Sequence, residues 1–162
     1  MSLTKLLPIP DKWKKDNAIV YKVYETDPLP ERTLHSPIWA PSNEHFIGQS
    51  YRCHGKYLIW LAGDGNGEYP TGWHSPVSLD GAKKWLRYLA KWTHDPRDNF
   101  TIVKVAIKEP VAYGTDEAGS RVIVFKYKTL IEEMPQCRTT LIKMVCQGSK
   151  STGKINQFPG VA

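Results

Sequence analysis

The chain has 162 residues, of which 41% are hydrophobic and 23% charged, the composition of one globular domain rather than of a disordered segment. No apolar run approaches the roughly 18 residues needed to cross a bilayer. The opening stretch MSLTKLLPIPDKWKKD, broken by Pro8 and Pro10, lacks the apolar core of a signal peptide, so a soluble, intracellular protein without membrane contact is expected.

The net charge is +6, and the whole excess lies in the second half: residues 1–76 carry eight basic and eight acidic side chains, residues 77–162 fourteen and eight. Such an imbalance favours an anionic partner, whether nucleic acid, a nucleotide or an acidic protein. Three cysteines, Cys53, Cys137 and Cys146, with no Cys-x-x-Cys spacing, predict reduced thiols and not a disulfide framework.

Residues 17–25 (NAIVYKVYE) alternate apolar and mixed side chains with β-branched and aromatic types, which predicts a strand. Residues 26–45 contain Pro28, Pro30, Pro37 and Pro41 and predict a long irregular segment. Residues 49–63 predict one or two strands, closed by a tight turn at GDGNG, 63–67. The clearest helix is 78–92: Ser78 supplies an N-cap, Asp80 suits the first turn, and Leu79, Ala82, Leu86 and Leu89 form the apolar stripe.

Beyond it, 99–114 reads as a central strand and 120–128 as another. TLIEEMP predicts a short turn or helix, 139–146 a last strand, and 148–162 a flexible polar tail. The expected architecture is α+β: a single domain over 1–147 with residues 1–16 as an N-terminal extension. It has a mixed or antiparallel sheet of five to seven strands and one main helix, about 78–92.

Several patterns invite a chemical reading. GSKSTGKI, 148–155, matches the spacing of a phosphate-binding loop, but Ile155 stands where a Mg²⁺-binding hydroxyl is required and no helix can follow, so it reads as tail. Cys53 and His54 are adjacent and point to opposite faces of an extended chain, and the remaining histidines lack helical i, i+4 pairing; no metal is expected. A His-Ser-Pro core occurs twice, at 35–37 and 74–76, which makes His35 and His74 candidates for a shared site only if two distant segments meet. Lys83, Lys84, Arg87 and Lys91, with Tyr88 on the same helix and Trp73 before it, form a basic and aromatic set suited to phosphates and stacked bases.

The order of strand AIVYKVYE, a long loop, GWHSPVSLDGAKKWLRYL, strand FTIVKVAI leading into KEPVAYG, and strand SRVIVFKYKTLI resembles the layout of the ADP-ribosyltransferase fold. The resemblance spans about residues 17–131 and rests on order and spacing. It implies an NAD-using transferase in which Lys22 stands at the place of the first strand's Arg or His and Ser75 or Ser78 at the Ser motif. Arg121 stands at the place of the catalytic glutamate, with Glu117 the nearest acid. The catalytic candidates are therefore Lys22, His35, His74 and Glu117, and the ligand-binding candidates Trp73, Lys83, Lys84, Arg87, Tyr88 and Lys91. The functional expectation is a non-catalytic module that binds an anionic partner without a cofactor. The alternatives are an ADP-ribosyltransferase-like enzyme using NAD, or a protein-interaction or structural component.

Overall fold

The computed structural model describes residues 1–26, 33–36, 40–63, 67–92 and 99–134. In chain order these form β1 (Lys5–Leu6), α1 (Asp11–Lys14), β2 (Ala18–Thr26), β3 (Leu34–Ser36), β4 (Ala40–His45), β5 (Ser50–Arg52), β6 (Leu58–Trp60), β7 (Glu68–Pro70), β8 (Trp73–Pro76), α2 (Leu79–Trp92), β9 (Asn99–Thr115) and β10 (Arg121–Glu133). The spine is the β9–β10 hairpin. Its turn is organised by Asp116, whose Oδ1 accepts the amide hydrogens of Ala118 (3.0 Å) and Ser120 (2.8 Å), with Gly119 taking the left-handed conformation at φ 73°.

Partners line both flanks of the spine, all antiparallel. On one flank β9 pairs with β2 along Asn99–Ile107 and with β1 at Gly114 and Thr115. On the other, β10 pairs with β8 along Val122–Phe125 and with β5 along Tyr127–Thr129. β3 and β4 extend the sheet beyond β2, while β6 and β7 form a separate two-stranded ribbon. The change of partner falls at an irregularity in β9, where Glu109 has φ 52° and Pro110 cannot donate to the ladder.

The sheet curls until β8 reaches β2, although the two strands do not pair. Ser75 Oγ donates to the Tyr21 carbonyl at 2.9 Å, and Lys22 Nζ donates to the His74 carbonyl at 2.9 Å. The core enclosed by this curl contains Val20, Tyr24, Val103, Val105, Ile107, Ile123, Phe125 and Leu130. Helix α2 covers the outer face: Ala82, Leu86 and Leu89 pack on Val23, Phe100 and Ile102, and the Ser78 hydroxyl caps its first turn by accepting the Gly81 amide hydrogen at 3.1 Å. A third cluster, Leu3, Tyr69, Ala112, Val122 and Val124, closes the far end and fixes the N-terminal segment.

This architecture corrects the α+β expectation. Among the described residues 53% lie in strands and 15% in helices; eight strands share one antiparallel sheet, a second sheet has two, and a short helix, α1, accompanies α2. The undercount has a physical source. β5 and β6 lie in the stretch 49–63 expected to hold one or two strands, whereas β3 and β4 fall in 26–45, expected to be irregular; β3 and β7 are three residues long beside proline or glycine, too short to show alternation. The segment 129–133 continues β10 in place of the turn or helix expected there, held by the ladder to Ala106–Val103 and by Lys104 Nζ on Glu132 Oε1 at 3.2 Å. Residues 139–146 and the tail 148–162 lie outside the described residues.

Gly114 lies where β1 crosses closest to β9, and a Cβ there would run into the Lys5 carbonyl oxygen. Gly114→Ala is expected to cost about 1–3 kcal/mol, lowering the melting midpoint by several degrees and speeding hydrogen exchange at the amide of Leu7, which bonds Tyr113. Unchanged melting and exchange would show that the N-terminal strand does not depend on this approach.

Candidate functional site: a cleft beside Lys22 and a caged lysine

The contact of β8 with β2 builds the floor of a cleft of about 550 Å³. Lys22 from β2, Ser36 from β3, Cys53, Trp73 and His74 from β8, and Trp85 from α2 line it. The ribbon forms the remaining wall with Leu58, Ile59 and Trp60, preceded by Tyr57. Tyr57, Leu58 and Trp60 are 67%, 55% and 64% exposed, so this wall is an open apolar surface and not part of the core.

Lys22 is the one charged side chain lining the cleft among the described residues. Burial lowers its pKa from 10.5 to about 8, because the ammonium is removed from water, while its Nζ donates to the His74 carbonyl. His74 is held in one form. Its Nδ1 lies 3.1 Å from the Gly72 carbonyl, which can only accept, so Nδ1 carries the proton; Nε2 then accepts from the Tyr69 hydroxyl at 3.0 Å. That hydroxyl in turn accepts the Leu3 amide hydrogen at 3.2 Å. Burial first, then the nearby Lys22 charge, lower the His74 pKa to about 4. The imidazole is therefore neutral across physiological pH and acts as a tie between β7, β8 and the N-terminal segment.

Behind Trp73 lies a buried lysine. Lys128 is 1% exposed, and its Nζ sits 3.4 Å from the Trp73 ring centroid, 5.2 Å from Tyr24 and 5.6 Å from Tyr51. His45 closes this enclosure, its ring edge-on to Tyr51 at 4.4 Å and to Trp73 at 5.6 Å. Among the described residues no acceptor bonds Lys128 Nζ, and the Trp73 indole nitrogen and the Tyr24 hydroxyl are likewise buried without partners there. Desolvation and then the Lys22 charge push the Lys128 pKa well below 10.5, with Cys53 opposing.

The sequence candidates separate. Lys22, Trp73 and His74 meet in the cleft. His35 sits on β3 opposite Glu25 of β2 and Glu44 of β4, with Nε2 3.0 Å from the Thr33 hydroxyl, and does not line the cleft; its neighbour Ser36 does. Glu117 lies in the exposed β9–β10 turn. With Lys84 and Tyr88 it lines an adjoining depression of about 290 Å³ that shares Met1, Ser2 and Trp85 with the cleft. Tyr88 stacks on Trp85 at 5.0 Å. Lys83, Arg87 and Lys91 are exposed and line neither cavity.

The sequence reading missed Lys128, Tyr24, Tyr51, His45 and Cys53. In a KYK triplet at the end of a strand, a lysine gives no signal of burial. Among the described residues no three His, Cys, Asp or Glu side chains are placed to hold a metal ion, and no helix is long and apolar enough to cross a membrane. Comparison with protein-family models, with curated proteins and with solved structures finds no match.

The neutral His74 makes the fold sensitive to acid. Between the unfolded value near 6.5 and the folded value of about 4, the unfolded chain binds the proton and the folded one does not, so stability falls as pH drops through this window and levels off below it. The loss reaches on the order of 3 kcal/mol. Denaturant unfolding from pH 7 to pH 4 should show this slope, and His74→Phe should remove most of it; an equal slope in the variant would assign the acid sensitivity elsewhere.

Proposed function

We propose that the cleft binds a small anionic ligand carrying a flat ring, of the nucleotide kind, as a free molecule or as a unit of a single strand. The observation that carries this reading is the placement of the Lys22 ammonium on the floor of a cleft lined by Trp60, Trp73 and Trp85, with the Met1 α-amino group and the polar residues Ser36, Thr71 and His74 also in its lining. An anionic group on Lys22 gains a charge-assisted hydrogen bond in a partly desolvated site, and a ring against indole contributes about 1–3 kcal/mol per base. Trp60 and the other exposed side chains of the ribbon wall would be covered by such a ligand. Exposed Lys83, Arg87 and Lys91 add a positive field outside the cleft that draws anions in and extends along a strand.

A second reading, an NAD-using transferase, draws on the same geometry: Lys22 and His74 in one cavity, Glu117 in the next, and Trp85 between them. The two readings differ over catalysis and not over ligand class.

Titration with mononucleotides, NAD and single-stranded oligonucleotides, followed by tryptophan emission over a range of salt, tests both. Binding should quench emission, weaken with salt, and fall at least about tenfold in Lys22→Met or Trp85→Ala, each about 1.4 kcal/mol. Above pH 8, as Lys22 deprotonates, affinity should decline up to tenfold per pH unit. Absence of binding at low salt removes the reading. Release of nicotinamide that disappears in Glu117→Ala selects the enzyme; NAD left intact after long incubation selects the binding module.

A further inference from the structure

Lys128 is a poor choice for a core position. Its amine lies in the enclosed core of the sheet, without an acceptor among the described residues, where leucine would pack at less cost. The enclosure is nevertheless suited to a cation. Three ring systems, Tyr24, Tyr51 and Trp73, surround the nitrogen, and a ring face attracts positive charge most strongly when water is excluded. Two influences therefore oppose each other at Nζ: desolvation favours the neutral amine, and the rings favour the ammonium.

The groups facing Lys128 decide the balance. Lys22 and Tyr24 face it from β2, His45 from β4, Tyr51 from β5, and Cys53 from the segment after β5. None of these is a carboxylate, and Lys22 disfavours a second positive charge. Trp73 is the partition: Lys128 lies against its ring, and the same side chain lines the cleft. Lys22 Nζ, at the cleft floor, is 5.8 Å from the Tyr24 ring that also faces Lys128. A negative charge brought to Lys22 cancels the repulsion between the two lysines and adds attraction across a low-dielectric wall.

We propose that anion binding in the cleft protonates Lys128, so that the caged amine takes up a proton with each ligand bound and stores the charge against Trp73, Tyr24 and Tyr51. The inference rests on the cleft being an anion site. The proton comes from solvent, no covalent bond forms, and release of the anion returns the proton. Lys128 does not touch the ligand; it is a positioning residue whose charge state follows occupancy.

The probe is 2-naphthalenesulfonate, a flat anion that does not titrate, followed by calorimetry at pH 7 in buffers of different ionisation enthalpy. Lys22, with a pKa of about 8, is then already about nine-tenths protonated and can supply only about a tenth of a proton. Wild-type protein should take up clearly more of a proton per ligand than Lys128→Met. Lys128→Met should still bind, more weakly, with uptake reduced to the share of Lys22 and of the Met1 α-amino group, which also lines the cleft and whose pKa burial lowers from 8.0. Lys22→Arg, which keeps a charge on the floor without titrating there, should retain the uptake, so the result stands even where Lys128→Met folds poorly. Binding without uptake, or undiminished uptake in Lys128→Met, overturns this inference alone. No binding by wild-type protein overturns it together with the reading on which it rests.

Discussion

Pro110 has no amide hydrogen to give, and Glu109 before it holds φ at 52°. A strand as long as β9 cannot run its ladder straight through such a pair, so the spine of the protein bends there. Upstream of the bend β9 faces β2, and downstream it faces β1. Across the hairpin β10 changes from β8 to β5 at the corresponding height. The bend lets β8 come round to β2, and the two hydrogen bonds from Ser75 and Lys22 fix that approach. Cleft, cage and core all lie along this contact.

The same contact explains why polar atoms are concentrated in one region of an otherwise apolar interior. Strands that pair satisfy their backbones in the ladder. Strands that touch without pairing leave edge groups that side chains must serve. Ser75 serves the Tyr21 carbonyl and Lys22 the His74 carbonyl, while the histidine ring ties the adjacent Gly72 carbonyl to Tyr69 and through it to Leu3. One of these structural donors is the charge on the cleft floor. A change at Lys22 therefore acts on both packing and binding, and separating the two effects requires arginine beside methionine.

Long elements were legible from the residues alone. The alternation in 17–25, the capped apolar stripe of 78–92 and the β-branched run after Asn99 each contain enough periods to name their structure, and β2, α2 and β9 fall within a residue or so of those limits. The strands within 26–45 were not legible, because β3 and β4 are specified by the neighbours they pair with and not by their own proline-interrupted sequence. Of the candidate residues, Lys22 came from the resemblance to the ADP-ribosyltransferase layout and His74 from a repeated tripeptide, and both line one cavity. Lys128 could not be found that way. Its burial depends on aromatic rings from β2, β5 and β8, contributed by segments widely separated in the chain.

The cleft has walls of different standing. Its floor belongs to the main sheet and shares residues with the core, whereas the ribbon of β6 and β7 is a sheet of its own, with Tyr69 anchored against Leu3 and exposed side chains facing the opening. Leu58 and Trp60 can be exchanged for smaller, larger or charged side chains without disturbing the ladder that holds the domain together. Selectivity can therefore be retuned through the ribbon at little cost to folding, which makes it the natural place for variation, in evolution or in design, among proteins built on this frame.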